Sequence, residues 1–482
     1  MRRETFPSMS AASSGSALKD KRGFIDHESI YETLKTSTPP DKAEVLEIIA
    51  HARELKGISH TEAVRLLMVD DEELLQLILD TANYVKTEIY GKRLVLFAPL
   101  YISNLCNNEC LYCAFRKSNT FIPRRTLSLE EIKQETEALV AQGHKRVLLV
   151  SGEGLGQSAL EYSLKAIDTI YSVKVGNGEI RRININIAPL PVEGFGRLKE
   201  AKIGTYQLFQ ETYHYDTYKK MHIRGPKMDY LYHLTAMDRA MEAGIDDVGV
   251  GILFGLYDYR FEIMALLQHI KHLEETFGVG PHTISIPRLE PASHSDVAVH
   301  PPYPVSDREF KKIIAVLRLT VPYTGMILST RESAEMRHEA FSLGISQISA
   351  GSRTNPGGYT HPGEDDERGQ FSLGDHRSLE SVIYDIARMG YIPSFCTGCY
   401  RLGRTGGDFM DLAKPGLIRH YCLPNALTTF KEYLVHYAGP HTRQIGEKLI
   451  TDMLEEIPAE KVRTKTCQNL AAVQNGAKDV FI

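Results

Sequence analysis

The sequence LVLFAPLYISNLCNNECLYC, residues 94–113, joins a strand pattern to three closely spaced cysteines. Residues 94–102 form an apolar run with the length and composition of a buried strand. Cys106, Cys110 and Cys113 follow in the segment that leaves this strand. A cubane iron–sulfur cluster prefers four thiolates, so three cysteines without a local fourth leave one iron open to another ligand. The segment therefore predicts a strand that ends in an incomplete cluster site.

Seven further apolar runs have the length of strands. The eight strand candidates cover residues 94–102, 147–151, 183–187, 205–209, 248–253, 283–287, 326–329 and 347–350. Amphipathic stretches with helical periodicity separate them, at 129–142, 229–243, 261–277, 307–320 and 333–343. This alternation predicts an α/β fold, a parallel (β/α)8 TIM-type barrel. In such barrels the chemistry gathers at the carboxyl ends of the strands.

The chain of 482 residues is longer than one such barrel and extends beyond it at both ends. We expect a flexible leader over residues 1–30 and an N-terminal helical extension over 31–90. The barrel then covers 91–375, and a smaller, mainly helical C-terminal domain covers 376–482. The leader is rich in Ser, Ala, Lys and Arg, like a transit peptide, but it has no evident amphipathic helix.

Composition narrows the classes of function. A formal net charge of −5 argues against a nucleic-acid partner, which calls for a basic face. No run of eighteen or more apolar residues is present, so no membrane span is expected. Six of the seven cysteines fall into two groups, and only Cys467 stands alone. This distribution favours metal ligation in a reducing compartment over disulfides, and hence a cytoplasmic location.

The CX3CX2C spacing of the first cysteine group resembles the signature of the radical S-adenosylmethionine (SAM) superfamily. That resemblance implies a [4Fe–4S] cluster whose open iron binds SAM, and electron transfer into SAM then releases a 5′-deoxyadenosyl radical. The alternative is a set of buried cysteines or a zinc site, but a structural zinc site normally takes four ligands. Residues that the resemblance places at the SAM site lie beside the cysteines or at strand ends: Tyr112, Ser151, Gly152, Glu153, Gln210, Glu211, Gly251 and Gly255. Gln210 and Glu211 also fit a solvated strand end.

A second cysteine group, Cys396, Cys399 and Cys422, has the spacing CX2CX22C and again offers three thiolates. A structural zinc would need a fourth ligand, and His420 lies too near Cys422 for a common pairing. A second iron–sulfur cluster with an open or externally ligated iron explains the count better.

The two cysteine groups together resemble those of the HydG family, tyrosine lyases of [FeFe]-hydrogenase maturation. The resemblance implies cleavage of the Cα–Cβ bond of L-tyrosine to p-cresol and dehydroglycine. Dehydroglycine is then converted to carbon monoxide and cyanide, bound to iron for assembly of the hydrogenase H-cluster. It further implies a second cluster, [4Fe–4S] extended by a fifth iron that free cysteine bridges. Expected partners are a reductant such as flavodoxin or ferredoxin and the other hydrogenase maturation proteins.

Residues for the substrate and for the fifth iron follow from the same resemblance. Arg331, after the seventh strand candidate, is expected to bind the tyrosine carboxylate because a guanidinium engages both oxygens. Ser329 and Thr330 are supporting candidates. The alternative is that Arg331 pairs with Glu332 or caps a helix. Histidine suits ferrous iron, and we favour His272 over His269, one turn away on the same predicted helix.

Three other functions compete with this interpretation. A tyrosine lyase of thiazole synthesis would stop at dehydroglycine and need no second cysteine group. A sulfur-insertion enzyme of the biotin synthase type would consume its second cluster, but the C-terminal position of that group and the segment 329–331 argue against it. A non-catalytic iron–sulfur scaffold or electron carrier would need neither two incomplete sites nor a barrel of this size.

Overall fold

The computed structural model describes residues 19–361 and 368–482, and its central element is a closed parallel barrel. All eight strand candidates form barrel strands, which confirms the predicted (β/α)8 fold. The strands in chain order are β1 Arg93–Ser103, β2 Arg146–Ser151, β3 Lys174–Val175, β4 Gly178–Glu179, β5 Arg182–Asn186, β6 Tyr206–Gln207, β7 Val248–Gly251, β8 Thr283–Ser285, β9 Gly325–Leu328, β10 Gln347–Ser349 and β11 Ile392–Ser394.

The barrel closes through the first and last of its strands. Strands β1, β2 and β5 to β10 lie side by side in chain order, all parallel, and β10 pairs back with β1. Because both faces of such a sheet are covered, its strands consist of nearly continuous apolar runs. The short strands β3 and β4 form a separate antiparallel pair outside the barrel.

Helices surround the barrel and extend it at both ends. They are α1 Lys19–Arg22, α2 His27–Thr36, α3 Lys42–Ala52, α4 His60–Leu67, α5 Glu72–Tyr90, α6 Leu129–Ala141, α7 Ala159–Ser172, α8 Val192–Glu200, α9 Tyr215–Met221, α10 Tyr230–Leu234, α11 Ala236–Glu242, α12 Tyr259–Phe277, α13 Asp296–Val299, α14 Asp307–Thr320, α15 Ala334–Leu343, α16 Leu379–Arg388, α17 Gly398–Arg401, α18 Gly406–Ala413, α19 Arg419–His436, α20 Pro440–Glu455 and α21 Glu460–Gln474. Among the described residues, no helix combines the length and the apolar character needed to cross a bilayer.

The N-terminal segment is structured where it is described. Residues 19–30, expected to belong to a flexible leader, include α1 and the start of α2. Ile25, His27 and Ile30 are buried, and the Phe24 ring stacks on His272 of α12 at 3.8 Å between centroids. The leader prediction is therefore wrong for residues 19–30, because their apolar and aromatic side chains pack on the barrel helices. Its remaining part, residues 1–18, lies outside the described residues.

The C-terminal helices are attached to the amino-terminal end of the barrel by one strand. Strand β11 runs parallel to β1 and pairs Arg93 with Ile392 and Val95 with Ser394. Helix α19 packs against β11 and β1. The C-terminal domain therefore covers the end of the barrel opposite to the carboxyl ends of its strands.

A buried ion cluster ties α19 to the barrel. Glu432 of α19 accepts hydrogen bonds from Lys145 Nζ at 2.8 Å and from Arg181 Nη1 at 2.9 Å. All three side chains are at most 2% exposed. Burial alone would raise the pKa of Glu432, but the hydrogen bonds from Arg181 and the charge of Lys145 hold it at about 2. The carboxylate therefore stays charged, and it supplies the counter-charge for two buried cations.

Replacing Glu432 with glutamine is expected to destabilise the protein by about 3–5 kcal/mol, because two cations are left without their buried partner. Thermal and urea unfolding measure the change. The matched control is Glu447→Gln, which removes a half-exposed ion pair with Lys431 and is expected to cost about 1 kcal/mol or less. Equal stabilities of the two variants would contradict the role given to this ion cluster.

Candidate functional site

The carboxyl ends of the barrel strands surround a cavity of about 1470 Å³, including its open mouth. Eleven of the residues selected from the sequence line it. They are Cys106, Cys110, Cys113, Tyr112, Ser151, Gly152, Glu153, Glu211, Ser329, Thr330 and Arg331. The fold thus brings the first cysteine group, the proposed SAM contacts and the proposed tyrosine contacts into one space.

The cysteine loop is held in place by a second segment. Residues 222–228, called the strap below, run alongside it, with Cys110 bridged to His222 in antiparallel fashion. His222 Nδ1 donates to the Tyr218 carbonyl at 2.9 Å, so its Nε2 accepts from the Tyr112 hydroxyl at 2.8 Å. Burial lowers the pKa of His222 well below its usual value, so this neutral form is retained. The strap therefore fixes the orientation of Tyr112.

The end of β2 approaches the cysteine loop closely. A Cβ atom at Gly152 would lie 2.5 Å from the Leu105 carbonyl oxygen, and one at Gly154 would lie 2.7 Å from the Cys106 nitrogen. Only glycine allows this approach. Glu153, between the two glycines, accepts a hydrogen bond from Asn108 Nδ2 at 2.6 Å.

Lys227 of the strap is a site residue that the sequence prediction missed. Its Nζ lies 2.8 Å from Glu211 Oε1, and both side chains line the cavity. Burial opposes its charge, but the carboxylate of Glu211 holds the pKa of Lys227 well above its usual value. Glu211 has a φ of +68°, a strained conformation for a residue with a side chain. No local pattern marks Lys227, because it reaches the cavity from the connection between α9 and α10.

Three predicted SAM contacts lie outside the cavity lining. Gln210 is 4% exposed, and its Nε2 has no hydrogen-bond partner within the described residues. A Cβ atom at Gly251 would lie 2.6 Å from the Phe209 ring, so this glycine makes room for a side chain that does line the cavity. Gly255 has a φ of +119° and accepts a hydrogen bond from the Tyr303 backbone. The SAM contacts predicted for these three residues stay predictions.

Arg331 lies in the cavity without a carboxylate partner. Its guanidinium stacks on the Phe371 ring, 3.3 Å from the centroid, and no ion pair to it is found in residues 19–361 and 368–482. Glu332 binds Arg288 instead, with Arg288 Nε 3.0 Å from its Oε1. Ser329 Oγ accepts from the Arg331 backbone at 3.3 Å, and the Thr330 backbone donates to Ser349 Oγ at 3.1 Å. The geometry does not support the alternative that Arg331 pairs with Glu332.

The second cysteine group lies at the opposite end of the barrel. Cys396 and Cys399 follow β11, and Cys422 lies in the first turn of α19. Arg146, at the start of β2, donates to the Cys396 carbonyl at 2.8 Å, and the Gly398 backbone donates to the Cys396 sulfur at 3.3 Å. Burial raises the pKa of Cys396 and brings that of Cys422 to about 12, so these thiols need a metal to ionise.

Buried cationic groups surround this lower site. Arg182 is 2% exposed, lies 3.0 Å from the centroid of Tyr400, and comes no nearer than 3.9 Å to the carboxylate of Asp247. Several nitrogens have no hydrogen-bond partner within the described residues: Arg93 Nε, Arg146 Nε, Arg182 Nη1, Arg404 Nε and His282 Nδ1. Unpaired buried donors are rare. An anionic iron–sulfur cluster on three thiolates, with a further ligand, fits this donor set.

The histidine beside the second cysteine group is His282, not His272. His282 Nε2 lies 3.4 Å from the hydroxyl of Tyr400, which follows Cys399, and its ring is 4.6 Å from Phe409. His272 instead bonds Asp238 Oδ1 at 2.5 Å and stacks on Phe24. The prediction of His272 is wrong because α12 packs outside the barrel, whereas His282 enters its lower end at the start of β8. His269 also has a hydrogen-bond partner, because its Nδ1 lies 2.8 Å from the Tyr213 hydroxyl.

A closed parallel barrel with three thiols and no fourth cysteine at its carboxyl-terminal mouth defines a radical SAM enzyme. Two family models agree: the Radical SAM superfamily matches residues 100–270, and the Biotin and Thiamin Synthesis associated domain matches 285–392. The 2-iminoacetate synthase of Salmonella typhimurium is 32% identical over 339 residues, 70% of this chain and 86% of that protein. Its Escherichia coli counterpart is 30% identical over 359 residues, 74% and 92% of the two chains.

Similar solved structures indicate which family of radical SAM enzymes the chain belongs to. A crystal structure of HydG, a maturase of the [FeFe]-hydrogenase, is 52% identical with a TM-score of 0.92, and the match covers 95% of this chain and 100% of that one. HydG from Carboxydothermus hydrogenoformans is 43% identical with a TM-score of 0.80, covering 92% and 97%. The chain belongs to the HydG family of radical SAM enzymes. It therefore uses a [4Fe–4S] cluster and SAM.

Lys227 lines the cavity, and we expect its ammonium to bind the SAM carboxylate. Lys227→Met should therefore weaken SAM binding about 10- to 100-fold, because a hydrogen bond to a charged group contributes about 1.5–3 kcal/mol. Equilibrium binding of SAM to the cluster-loaded enzyme measures it, and Lys227→Arg should retain part of the affinity. Lys219→Met removes an exposed lysine of α9 and serves as the control. Wild-type affinity in Lys227→Met would show that this cation does not face SAM.

Proposed function

We propose that this enzyme cleaves the Cα–Cβ bond of L-tyrosine to p-cresol and dehydroglycine. The dehydroglycine is converted to carbon monoxide and cyanide on iron, which is the cargo delivered for H-cluster assembly. The observation that carries the proposal is a pair of three-thiol sites at the two ends of one barrel. Both family models end before Cys396, and dehydroglycine is the compound after which the 2-iminoacetate synthases are named.

At the upper site, Cys106, Cys110 and Cys113 hold the first cluster. This cluster, with SAM bound, would supply a 5′-deoxyadenosyl radical. The chain's own contribution is position and charge, because Lys227 offers a cation to the SAM carboxylate. The remaining SAM contacts are assigned to residues that line the cavity: Tyr112, Ser151, Gly152, Glu153 and Glu211.

Arg331 binds the carboxylate of tyrosine in this proposal. It is the cation of the cavity lining that has no acidic partner in the described part of the chain, whereas Lys227 is paired with Glu211. Stacking on Phe371 fixes the plane of the guanidinium, which favours a bidentate contact with a carboxylate. The Ser329 and Thr330 hydroxyls supply further polar contacts beside it.

Polar side chains lie in the barrel interior between the two sites, and we propose that they mark the route of dehydroglycine. Along β5, alternate residues share a face, so Arg182, Asn184 and Asn186 point the same way. Asn186 lines the upper cavity, whereas Arg182 stacks on Tyr400 at the lower site. These two residues are about 13 Å apart along the strand. Dehydroglycine that moves along this route reaches the second site without entering bulk water.

The lower site is suited to hold the cargo iron. Cys396, Cys399 and Cys422 bind a second cluster, and His282 is placed to ligate the fifth iron. Free cysteine is the proposed bridging ligand. Arg146 and Arg182 offer its carboxylate two buried cations whose nitrogens are not all hydrogen-bonded. The reaction further needs a reductant such as flavodoxin or ferredoxin, and its product passes to other hydrogenase maturation proteins.

Arg331→Ala is expected to raise the KM for tyrosine about 10- to 100-fold, because the charged hydrogen bonds to the carboxylate are lost. Formation of p-cresol measures the change, and SAM cleavage without tyrosine should persist. Arg308→Ala, which removes an ion pair with Glu72 on the outer surface, is the control. An unchanged KM in Arg331→Ala would exclude this carboxylate site.

Cys396→Ser combined with Cys399→Ser is expected to leave p-cresol formation in place and to abolish carbon monoxide formation, because only the lower site is lost. Anaerobic assays with SAM, dithionite and tyrosine follow both products. His282→Asn should lose the fifth iron in spectroscopic titrations, with His272→Asn as the matched control. Normal carbon monoxide formation in the cysteine variant would refute the lower site, and absence of p-cresol in the wild-type enzyme would refute the lyase.

A further inference from the structure

The cysteine loop of the upper site reaches the protein surface along the strap. The Glu109 backbone donates to the Arg224 carbonyl at 2.9 Å, and the Ile223 backbone donates to the Glu109 carbonyl at 3.2 Å. On the other side of the loop, the Lys117 backbone donates to the Asn108 carbonyl at 2.8 Å. Residues 117, 223 and 224 are therefore one hydrogen bond away from the residues between Cys106 and Cys110.

The side chains at these three positions are exposed, and two of them are cationic and one is aliphatic. Ile223 is 53% exposed, an unusual position for a large aliphatic residue, and Lys117 and Arg224 flank the loop beside it. No ion pair to Lys117 or Arg224 is found in residues 19–361 and 368–482. We call Lys117, Ile223 and Arg224 the docking face.

The acidic groups nearby leave this face cationic. Glu109 lies beneath it, 8% exposed, and accepts from the Ser118 backbone at 3.0 Å while Arg116 Nε lies 3.5 Å away. Asp296 of α13 is the exposed acid of the adjoining helix, whose N-cap Ser295 donates to the Leu111 carbonyl at 2.6 Å. Lys219 and Lys220, at the end of α9 just before the strap, add two more exposed cations. Asp216 of α9 and Asp229 after the strap are exposed acids, so the exposed cations outnumber the exposed acids by four to three.

We propose that the docking face is where an acidic one-electron carrier protein, with a flavin or iron–sulfur centre, binds and delivers its electron. The carrier is oxidised by one electron and the cluster on Cys106, Cys110 and Cys113 is reduced by one. This inference rests on the radical SAM chemistry of the upper site and not on tyrosine as the substrate.

Charge explains why the carrier is acidic and binds here. The chain as a whole has a net charge of −5, so an acidic partner is repelled on average and needs a local cationic region to orient it. An apolar centre with a charged rim is the usual layout of a protein interface. Electron-transfer complexes bury less surface than most protein complexes, so a small face is enough to orient the carrier.

Reversal of charge on the docking face tests the proposal. The variant is Lys117→Glu combined with Arg224→Glu, and a bacterial flavodoxin of acidic pI is the probe. The matched control is Lys461→Glu combined with Lys465→Glu, two exposed lysines of α21 in the C-terminal domain. The control changes net charge by the same amount at the opposite end of the barrel. Lys117→Arg combined with Arg224→Lys keeps the charge of the face.

Two measurements are made on the full chain. The Kd for flavodoxin, measured by calorimetry on protein with and without iron–sulfur reconstitution, should rise at least tenfold in the docking-face variant and stay unchanged in the control. Flavodoxin-driven formation of 5′-deoxyadenosine should fall with it. Cleavage driven by dithionite should be unaffected, because this small reductant needs no docking, and the charge-keeping variant should behave like the wild type.

Three results would overturn the proposal. An unchanged Kd in the docking-face variant would exclude this surface. An equal rise in the control would show that only the net charge matters. A loss of dithionite-driven cleavage would show that the substitutions act through the cysteine loop and not through docking. Each readout follows SAM cleavage or carrier binding. A failure to detect p-cresol would therefore count against the proposed lyase function and not against the docking face.

Discussion

The architecture depends on the length of β1. This strand of eleven residues is longer than any other strand of the barrel. Its middle and carboxyl end pair with β10 and β2, and its amino end pairs with β11. The first cysteine group leaves β1 at one end, and the second is attached to it through β11 at the other. Both cysteine groups are therefore positioned by one continuous hydrogen-bonded strand.

The two ends of the barrel differ in their electrostatics, and this difference separates their roles. At the upper end the cation Lys227 is matched by Glu211, and Arg331 stacks on Phe371 with no acidic partner in the described residues. At the lower end Arg146 and Arg182 are buried with unsatisfied nitrogens, and Asp247 lies 3.9 Å from Arg182. The upper end is thus suited to orient ligands that come and go. The lower end retains an excess of positive charge that favours bound anions.

Local patterns in the sequence are enough to predict the barrel, and they also single out the two cysteine groups. All eight strands were found because buried parallel strands are continuous apolar runs, and each cysteine group is recognisable from its own spacing. What could not be predicted depends on contacts far apart in the chain. Lys227 and His282 enter the sites from connections with no motif, and His272 was chosen from helical spacing, which does not show which way a helix faces. The packing of residues 23–30 on α12 is likewise a tertiary effect.

The ion cluster of Lys145, Arg181 and Glu432 has a consequence for how material leaves the enzyme. Moving α19 away from the barrel would separate the buried cations Lys145 and Arg181 from the carboxylate of Glu432, at a cost of several kcal/mol. We therefore expect the C-terminal helices to stay packed on the barrel and not to swing away from it. Any group that the second cysteine group binds would then enter and leave through gaps between side chains, and local side-chain motion instead of domain opening would set the rate.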